Sequence, residues 1–220
     1  MSNKDDIIIY DDLVPQKTQQ RFLDSVTDTN LHWMDFDETK TAGDYFKGRK
    51  YTNDQLKIIP SQYLIKLAYT AAQRLENDEG TIHQPECFFY FGQMILDLFS
   101  EKSGIKVKKI LRMKMNSQTR NAMFPEFDEN CCNDIHTDTE IPHKTILYYI
   151  NDADGDTILM NEKFQPADNI PGAEVNTTVA TRVTPKQGRI VCFDGLRYHA
   201  PSNPIFARKR YLLNINFIPE

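Results

Sequence analysis

The chain has 220 residues, of which 40% are apolar, and this composition allows one domain to bury a continuous core. Its 26 basic and 31 acidic residues give a net charge of −5, which works against a broad phosphate-binding surface and disfavours nucleic acid as a partner. The N-terminus lacks the basic start and long apolar run of a secretory signal, so we expect a cytoplasmic protein with no membrane partner.

The four cysteines predict reduced thiols. Cys131 and Cys132 are adjacent, and a chain of this size needs no disulfides to fold. A zinc cage is disfavoured because the sequence contains no pair of cysteines separated by two residues.

Residues 1–104 carry the signals of a helical region. Pro15 suits the first turn of a helix that runs to about Val26. Apolar residues then recur at every third or fourth position over 61–76 and again over 85–103, and this spacing predicts two amphipathic helices. We expect these helices to form a support region that packs on one sheet of the remaining chain.

Beyond residue 104 the pattern becomes typical of strands. Apolar and polar residues alternate from 105 to 115, which predicts that Arg112, Lys114 and Asn116 project from the same side of one strand. Residues 145–151 and 157–160 flank a turn sequence and predict a β-hairpin. Three further strands are expected at about 178–183, 188–193 and 210–217.

The last predicted strand has two different faces. One face is apolar and contains Tyr211, Leu213, Ile215 and Phe217. The opposite face is polar and contains Arg210, Asn214 and Asn216. One side should therefore meet the helices and the other a polar cavity, as expected for an α+β domain in which helices cover one sheet of a β-sandwich or jelly roll.

Three residues near this cavity could bind a metal ion. His136 and Asp138 are two residues apart, a spacing that on a strand projects both side chains from one face. His199 follows a predicted strand much later in the chain. Two histidines and one carboxylate form the facial triad that leaves coordination positions of Fe(II) open. The remaining histidines lack this context, namely His32, His83 and His143.

In combination, these segments resemble the iron(II)/2-oxoglutarate-dependent dioxygenase superfamily and, within it, the prolyl-hydroxylase-like branch. The matching segments are, in chain order, His136-Thr137-Asp138, residues 145–151, residues 185–194, His199 and residues 210–217. The resemblance implies a double-stranded β-helix, or jelly roll, with its core at 105–218 in a single domain over 1–220. It also implies that His136, Asp138 and His199 are the iron ligands.

The resemblance further implies a basic residue that binds the distal carboxylate of 2-oxoglutarate. Arg210 is the expected residue, and Arg208 is the alternative that lies two positions earlier. Tyr149 occupies the position at which related hydroxylases hold this carboxylate with a phenol. The strand before the His-x-Asp motif lacks the tyrosine that the family has there, and Asn116 is the candidate in its place.

The implied activity is hydroxylation of a C–H bond, with a prolyl or another amino-acid residue as the target. O2 and 2-oxoglutarate would be consumed, succinate and CO2 released, and ascorbate would serve as a supporting reductant. The substrate would be a peptide or a small molecule, and the segments 33–51 and 117–134 are expected to form loops over the cavity mouth. Two alternatives remain open: a non-catalytic jelly-roll binding module, and a cupin-like metalloenzyme that does not use 2-oxoglutarate.

Overall fold

The structure is a computed structural model of the chain. It describes residues 7–28, 31, 34–35, 49–58, 66–73, 81–82, 86–120, 128–170 and 172–220. Within these ranges, no helix combines the length and the apolar composition that a membrane crossing requires.

The described residues include two α-helices. They are α1 (Gln16–Thr27) and α2 (Cys87–Ser103). Pro15 lies at the start of α1, as predicted, because its φ suits a helix start and it has no N–H to leave unpaired. α2 ends at Gly104, whose left-handed φ of 77° lets its N–H bond to the carbonyl of Ser100. Within α2, a Cβ at Gly92 would lie 2.6 Å from Sδ of Met113, so glycine allows the helix to approach the sheet closely.

Strands make up most of the described structure. They are β1 (Ile8–Tyr10), β2 (Met34–Asp35), β3 (Lys50–Thr52), β4 (Lys57–Ile58), β5 (Lys66–Gln73), β6 (Thr81–Ile82), β7 (Val107–Thr119), β8 (Cys131–Cys132), β9 (Lys144–Tyr149), β10 (Thr157–Lys163), β11 (Glu174–Asn176), β12 (Val179–Val183), β13 (Ile190–Asp194), β14 (Arg197–Pro201) and β15 (Lys209–Pro219). A large sheet has the order β1-β13-β9-β15-β7-β5-β2, with β6 beside β5. A small sheet has the order β12-β10-β14, and β11-β3 and β4-β8 form short parallel pairs.

The main apolar core lies between the helices and one face of the large sheet. Its buried side chains come from α1, α2, β7, β9 and β15, and include Phe22, Val26, Ile95, Phe99, Met113, Tyr148, Leu213, Ile215 and Phe217. This packing confirms the apolar face predicted for the last strand. The protein is a mainly β, α+β structure in which the helices cover one side of the large sheet and leave its other side to face the small sheet.

The helix predicted over 61–76 was wrong for the part that the structure describes. Residues 66–73 form β5, which pairs antiparallel with β7 from Lys66 opposite Gln118 to Gln73 opposite Arg112. The apolar spacing fits a helix, but the neighbouring edge of β7 offers a ladder of backbone hydrogen bonds, and such tertiary pairing overrides a local pattern. The region 1–104 therefore contains strands as well as helices.

The hairpin predicted across Asp154-Gly155 was also wrong. β9 lies in the large sheet between β13 and β15, whereas β10 lies in the small sheet between β12 and β14. The connection is therefore a crossover from one sheet to the other. The Asp154 carboxylate accepts the backbone N–H groups of residues 205, 206 and 207 at 2.7–2.8 Å, so the turn residue anchors a neighbouring loop.

Candidate metal centre

Three potential metal ligands meet between the two sheets. His199 lies on β14, and His136 forms an isolated antiparallel bridge with it, with N–O distances of 3.0 and 2.9 Å between their backbones. Asp138 follows two residues later and is buried. One ligating atom from each side chain lies within 4.8 Å of the other two. The structure therefore brings together all three residues that the sequence singled out as ligands.

The orientation of both imidazoles suits metal binding. Nδ1 of His136 lies 2.8 Å from the carbonyl oxygen of Asp134, and Nδ1 of His199 lies 3.1 Å from that of Arg197. A carbonyl at this distance accepts a hydrogen bond from Nδ1–H, which leaves Nε2 unprotonated in the neutral ring. Nε2 of His199 is 3.8 Å from Oδ2 of Asp138, so this donor set fits a divalent ion that prefers nitrogen and oxygen ligands.

Three donors hold the Asp138 carboxylate from the side of the large sheet. Nη2 of Arg112 donates to Oδ1 at 2.6 Å, and Nδ2 of Asn214 donates to both oxygens at 3.2 and 3.1 Å. Nδ2 of Asn216 donates to Oδ2 at 2.9 Å. Burial by itself raises the pKa of Asp138, but the positive charge of Arg112, the histidines and the Asn214 amide together hold this pKa far below its usual range. Asp138 is therefore anionic at neutral pH and could serve as a metal ligand.

A second row of polar groups supports these donors. Nδ2 of Asn216 also donates to Oγ1 of Thr145 at 3.1 Å, and this oxygen is 3.3 Å from Nε2 of His143. His143 is buried, and burial lowers the pKa of its imidazole. His143 therefore supports the site through Thr145 and does not belong to the ligand cluster. The two other histidines that the sequence analysis set apart from the metal site, His32 and His83, lie outside the described residues.

The floor of the cleft is the polar face of the large sheet. The antiparallel register of β7 and β15 places Arg112 opposite Asn216, Lys114 opposite Asn214, and Gln118 opposite Arg210. The cleft is open to solvent at its mouth, and the space inside it, with this open part included, is about 730 Å³. The His-Asp-His cluster lies toward one end of this floor and Arg210 toward the other.

Arg210 is a buried cation with unused hydrogen-bonding capacity. Only 3% of the residue is exposed, and its Nη2 donates to Oγ1 of Thr157 at 2.7 Å. Its Nε is buried without a hydrogen-bond partner, and none of the ion pairs in the described structure involves it. Burial lowers the pKa of this guanidinium, although the nearby Tyr149 partly opposes that shift. Such a group is costly unless an anion binds to it, and a carboxylate matches its geometry.

The other candidates for the co-substrate site lie in different environments. The Tyr149 hydroxyl donates to Oγ1 of Thr157 at 2.7 Å, and its ring lies 5.5 Å from the Arg210 guanidinium carbon. Burial raises the pKa of Tyr149, and this residue lies behind Arg210 instead of lining the described cleft. Asn116 lines the cleft on β7, whereas Arg208 is exposed on the surface.

Several site residues were missed at the level of sequence. Arg112 was seen only as part of an alternating strand, and the register with β15 is what places it against Asp138. The predicted loop at 117–134 begins within β7, where Ser117 and Gln118 line the cleft. Residues 121–127 and most of 33–51 lie outside the described part of the chain, so the expected loops over the mouth stay a prediction.

Comparison with known proteins finds similarity in structure. No family profile matches the sequence, and no curated protein matches it significantly. Solved structures do match. An oxidoreductase of the 2OG-Fe(II) oxygenase family from Burkholderia pseudomallei is 8% identical, with a TM-score of 0.57, and the alignment covers 98% of this chain and 85% of that one.

Two further structures extend this likeness. A prolyl hydroxylase from Trichoplax adhaerens, solved with a peptide fragment of the hypoxia inducible factor oxygen degradation domain, is 12% identical with a TM-score of 0.53 and coverages of 98% and 84%. The non-haem α-ketoglutarate-dependent epimerase SnoN from nogalamycin biosynthesis is 8% identical, with a TM-score of 0.61 and coverages of 97% and 78%. At these identities the likeness concerns the fold, and it confirms the resemblance seen in the sequence: the chain has the fold of the 2-oxoglutarate/iron(II) oxygenases.

Proposed function

We propose that the chain is an Fe(II)- and 2-oxoglutarate-dependent dioxygenase that hydroxylates a C–H bond. The observation that carries this proposal is the presence, in one cleft, of a His-Asp-His cluster and a buried arginine with an unpartnered Nε. A structural metal site would enclose its ion with protein ligands, whereas three ligands leave room for an oxoacid and O2. The proposal includes the double-stranded β-helix arrangement that the two facing sheets suggest.

Each part of the cleft has a distinct role in this proposal. His136, Asp138 and His199 would hold the iron, and Arg112 and Asn214 would position Asp138 through their hydrogen bonds. When bound, the iron would couple two reactions of O2: one oxygen atom would oxidise 2-oxoglutarate, giving succinate and CO2, and the other would be inserted into a C–H bond of the substrate. The protein contributes the open cleft and the positions of the reacting groups.

Arg210 would bind the distal carboxylate of 2-oxoglutarate. It lies four positions before Asn214 along β15, which places their Cα atoms about 13 Å apart and leaves a gap that a five-carbon diacid can bridge. Thr157 accepts hydrogen bonds from both Arg210 and Tyr149. We therefore propose that Tyr149 positions Arg210 from behind, with Asn116 as a further polar neighbour of the co-substrate.

The substrate would be a peptide or a small molecule, with a prolyl or another amino-acid residue as the target. The Trichoplax neighbour is a prolyl hydroxylase solved with a peptide, and this supports that class. A non-catalytic binding module is the second candidate, because a polar cleft can bind a ligand without catalysing a reaction. A cupin-like enzyme would use the same ligands but would not need Arg210.

The proposal is tested by anaerobic Fe(II) titration, by calorimetric 2-oxoglutarate binding and by succinate release in air with ascorbate supplied. His136→Ala and Asp138→Ala should abolish iron-dependent succinate release. Arg210→Ala should weaken 2-oxoglutarate binding at least tenfold but leave Fe(II) binding intact, because charge-assisted hydrogen bonds of this kind contribute about 1.5–3 kcal/mol.

Arg208→Ala is the matched control, because Arg208 is exposed and should leave both affinities unchanged. Retained iron-dependent turnover in both ligand variants would overturn the proposal. No Fe(II) binding by the unaltered protein would favour the binding module. Unchanged 2-oxoglutarate binding in Arg210→Ala would favour a cupin-like metalloenzyme.

A further inference from the structure

His143 is a buried histidine near the His-Asp-His cluster, and its two ring nitrogens have different roles. Nδ1 lies 2.8 Å from the carbonyl oxygen of Ile141, and because a carbonyl oxygen only accepts, Nδ1 carries a proton. Burial lowers the pKa of the imidazole, which favours the neutral ring. Nε2 is then an acceptor, and the hydroxyl of Thr145, 3.3 Å away, is the donor to it.

The direction of this first hydrogen bond determines the next ones. Because the Thr145 hydroxyl gives its only proton to His143, its oxygen accepts a hydrogen bond from Nδ2 of Asn216 at 3.1 Å. The same amide nitrogen donates its second proton to Oδ2 of Asp138 at 2.9 Å. Oδ1 of Asn216 accepts from Nε of Arg112 at 3.2 Å, so the amide has a partner on each side. A chain of three hydrogen bonds therefore connects His143 to Asp138.

The large sheet and the turn after β13 fix the geometry of this chain. Thr145 pairs in register with Asn216 on one side and with Phe193 on the other. The N–H of Gly195 donates to the carbonyl oxygen of His143 at 2.9 Å. A Cβ at Gly195 would lie 2.1 Å from Nε2 of His143, so a larger residue would displace the ring. The contact with Gly195 therefore sets where the imidazole lies relative to Thr145.

We infer that His143 is a positioning residue of the proposed metal centre: by accepting the hydrogen bond of Thr145, it orients the Asn216 amide with its nitrogen toward Asp138. The inference rests on the proposed function, because it requires Asp138 to be a metal ligand. Hydrogen bonds behind a ligand tune metal affinity, since they fix the ligand in its binding orientation before the ion arrives. His143 acts on the metal through two intervening side chains and contacts neither the metal nor a substrate.

The test measures the affinity of the metal-free protein for Co(II), a divalent ion with a visible absorption spectrum, in the absence of oxygen. Thr145→Val removes the hydroxyl and nearly keeps the side-chain shape, and it should weaken Co(II) binding about fivefold, the value of one neutral hydrogen bond. His143→Leu should give a similar loss. The double variant should lose no more than the weaker of the two, because both changes break the same chain. Independent effects would instead multiply to about 25-fold.

Further variants separate hydrogen bonding from packing. Thr145→Ser keeps the hydroxyl, and His143→Gln can place an amide oxygen near the position of Nε2, so both should stay within about twofold of the unaltered protein. Gly195→Ala removes no hydrogen-bonding group but displaces the ring, and its loss should match that of His143→Leu. Thr177→Val is the matched control, because Thr177 is also buried and its hydroxyl donates to the Thr52 carbonyl outside the described cleft lining. It should leave Co(II) affinity unchanged.

Three results would overturn the inference: unchanged Co(II) affinity in Thr145→Val, equal losses in Thr145→Val and Thr145→Ser, or a double variant whose loss is the product of the two single losses. Urea unfolding identifies the variants that fold. If Thr145→Val does not fold, the double variant of His143→Leu with Gly195→Ala makes the same comparison. Failure of the proposed function gives a different result, since the unaltered protein would then bind no Co(II), and the inference would fall with it.

Discussion

One face of the large sheet packs against the helices and the other faces the cleft, and neighbouring residues of β15 alternate between these two faces. Leu213 and Ile215 of β15 are fully buried against the helices. Asn214 and Asn216, which alternate with them, donate to Asp138 in the cleft. Because successive side chains of a strand point to opposite faces, stability and the proposed metal binding should depend on different residues of the same strand. Substitutions at adjacent positions should therefore separate the two properties.

The largest effect on stability is expected at the helix-facing side. Leu213→Ala should lower the free energy of unfolding by about 3 kcal/mol, because it removes buried methyl groups and leaves a cavity. Urea unfolding of the metal-free protein measures this loss. The folded variant should bind Fe(II) with unchanged affinity. A large loss of affinity in a folded variant would show that the two faces are coupled.

The adjacent substitution on the cleft side should mainly weaken Fe(II) binding and have a smaller effect on stability. Asn214→Ala removes a donor to both oxygens of Asp138 and should weaken Fe(II) binding about 10- to 100-fold, as substitutions behind metal ligands commonly do. Its unfolding free energy should change by less than that of Leu213→Ala. Anaerobic metal titration and urea unfolding of the two variants, measured side by side, check the comparison. Equal metal affinity in both variants would contradict it.

A smaller effect is expected where the chain crosses from the large sheet to the small one. Asp154→Ala removes the acceptor of three backbone N–H groups and should lower the free energy of unfolding by about 1–2 kcal/mol. The amides of residues 205, 206 and 207 should also exchange faster with solvent. Asp152→Ala, which removes the acceptor of one backbone N–H, is the control and should leave these three amides unchanged.

The smallest effect is expected at the edge of the large sheet. Arg189 beside Asp11 lowers the pKa of that carboxyl to about 2, partly against burial. A lowered folded-state pKa stabilises the protein above the ordinary value near 3.8, and this contribution is lost as the pH falls toward 2. Because the pair is partly exposed, the loss should be below about 1 kcal/mol. The stability difference between the unaltered protein and Asp11→Asn should shrink between pH 5 and pH 2.5, and a constant difference would contradict this account.

Much of the candidate site was predictable because its signals are local. The spacing of His136 and Asp138, and the alternation along β15, are visible in short stretches of sequence, and the structure places these two residues and the polar residues of β15 on the cleft side of the large sheet. The prediction of a hairpin at Asp154 was wrong because a turn sequence does not specify whether the two flanking strands pair with each other. The prediction of a helix over 61–76 was wrong for residues 66–73 because their apolar spacing is also compatible with a strand when β7 lies alongside as a pairing partner.

The sequence by itself determined the two-faced character of the terminal strand and the residue types that could bind a metal ion, since both follow from alternation and side-chain chemistry. Only the tertiary structure decided that Arg112 donates to Asp138, that Arg210 is buried and Arg208 exposed, and that Lys114 lies opposite Asn214 beside the His-Asp-His cluster. These relations depend on the register between strands that are far apart in the chain. Register is set by the packing of whole sheets, and no short segment carries it.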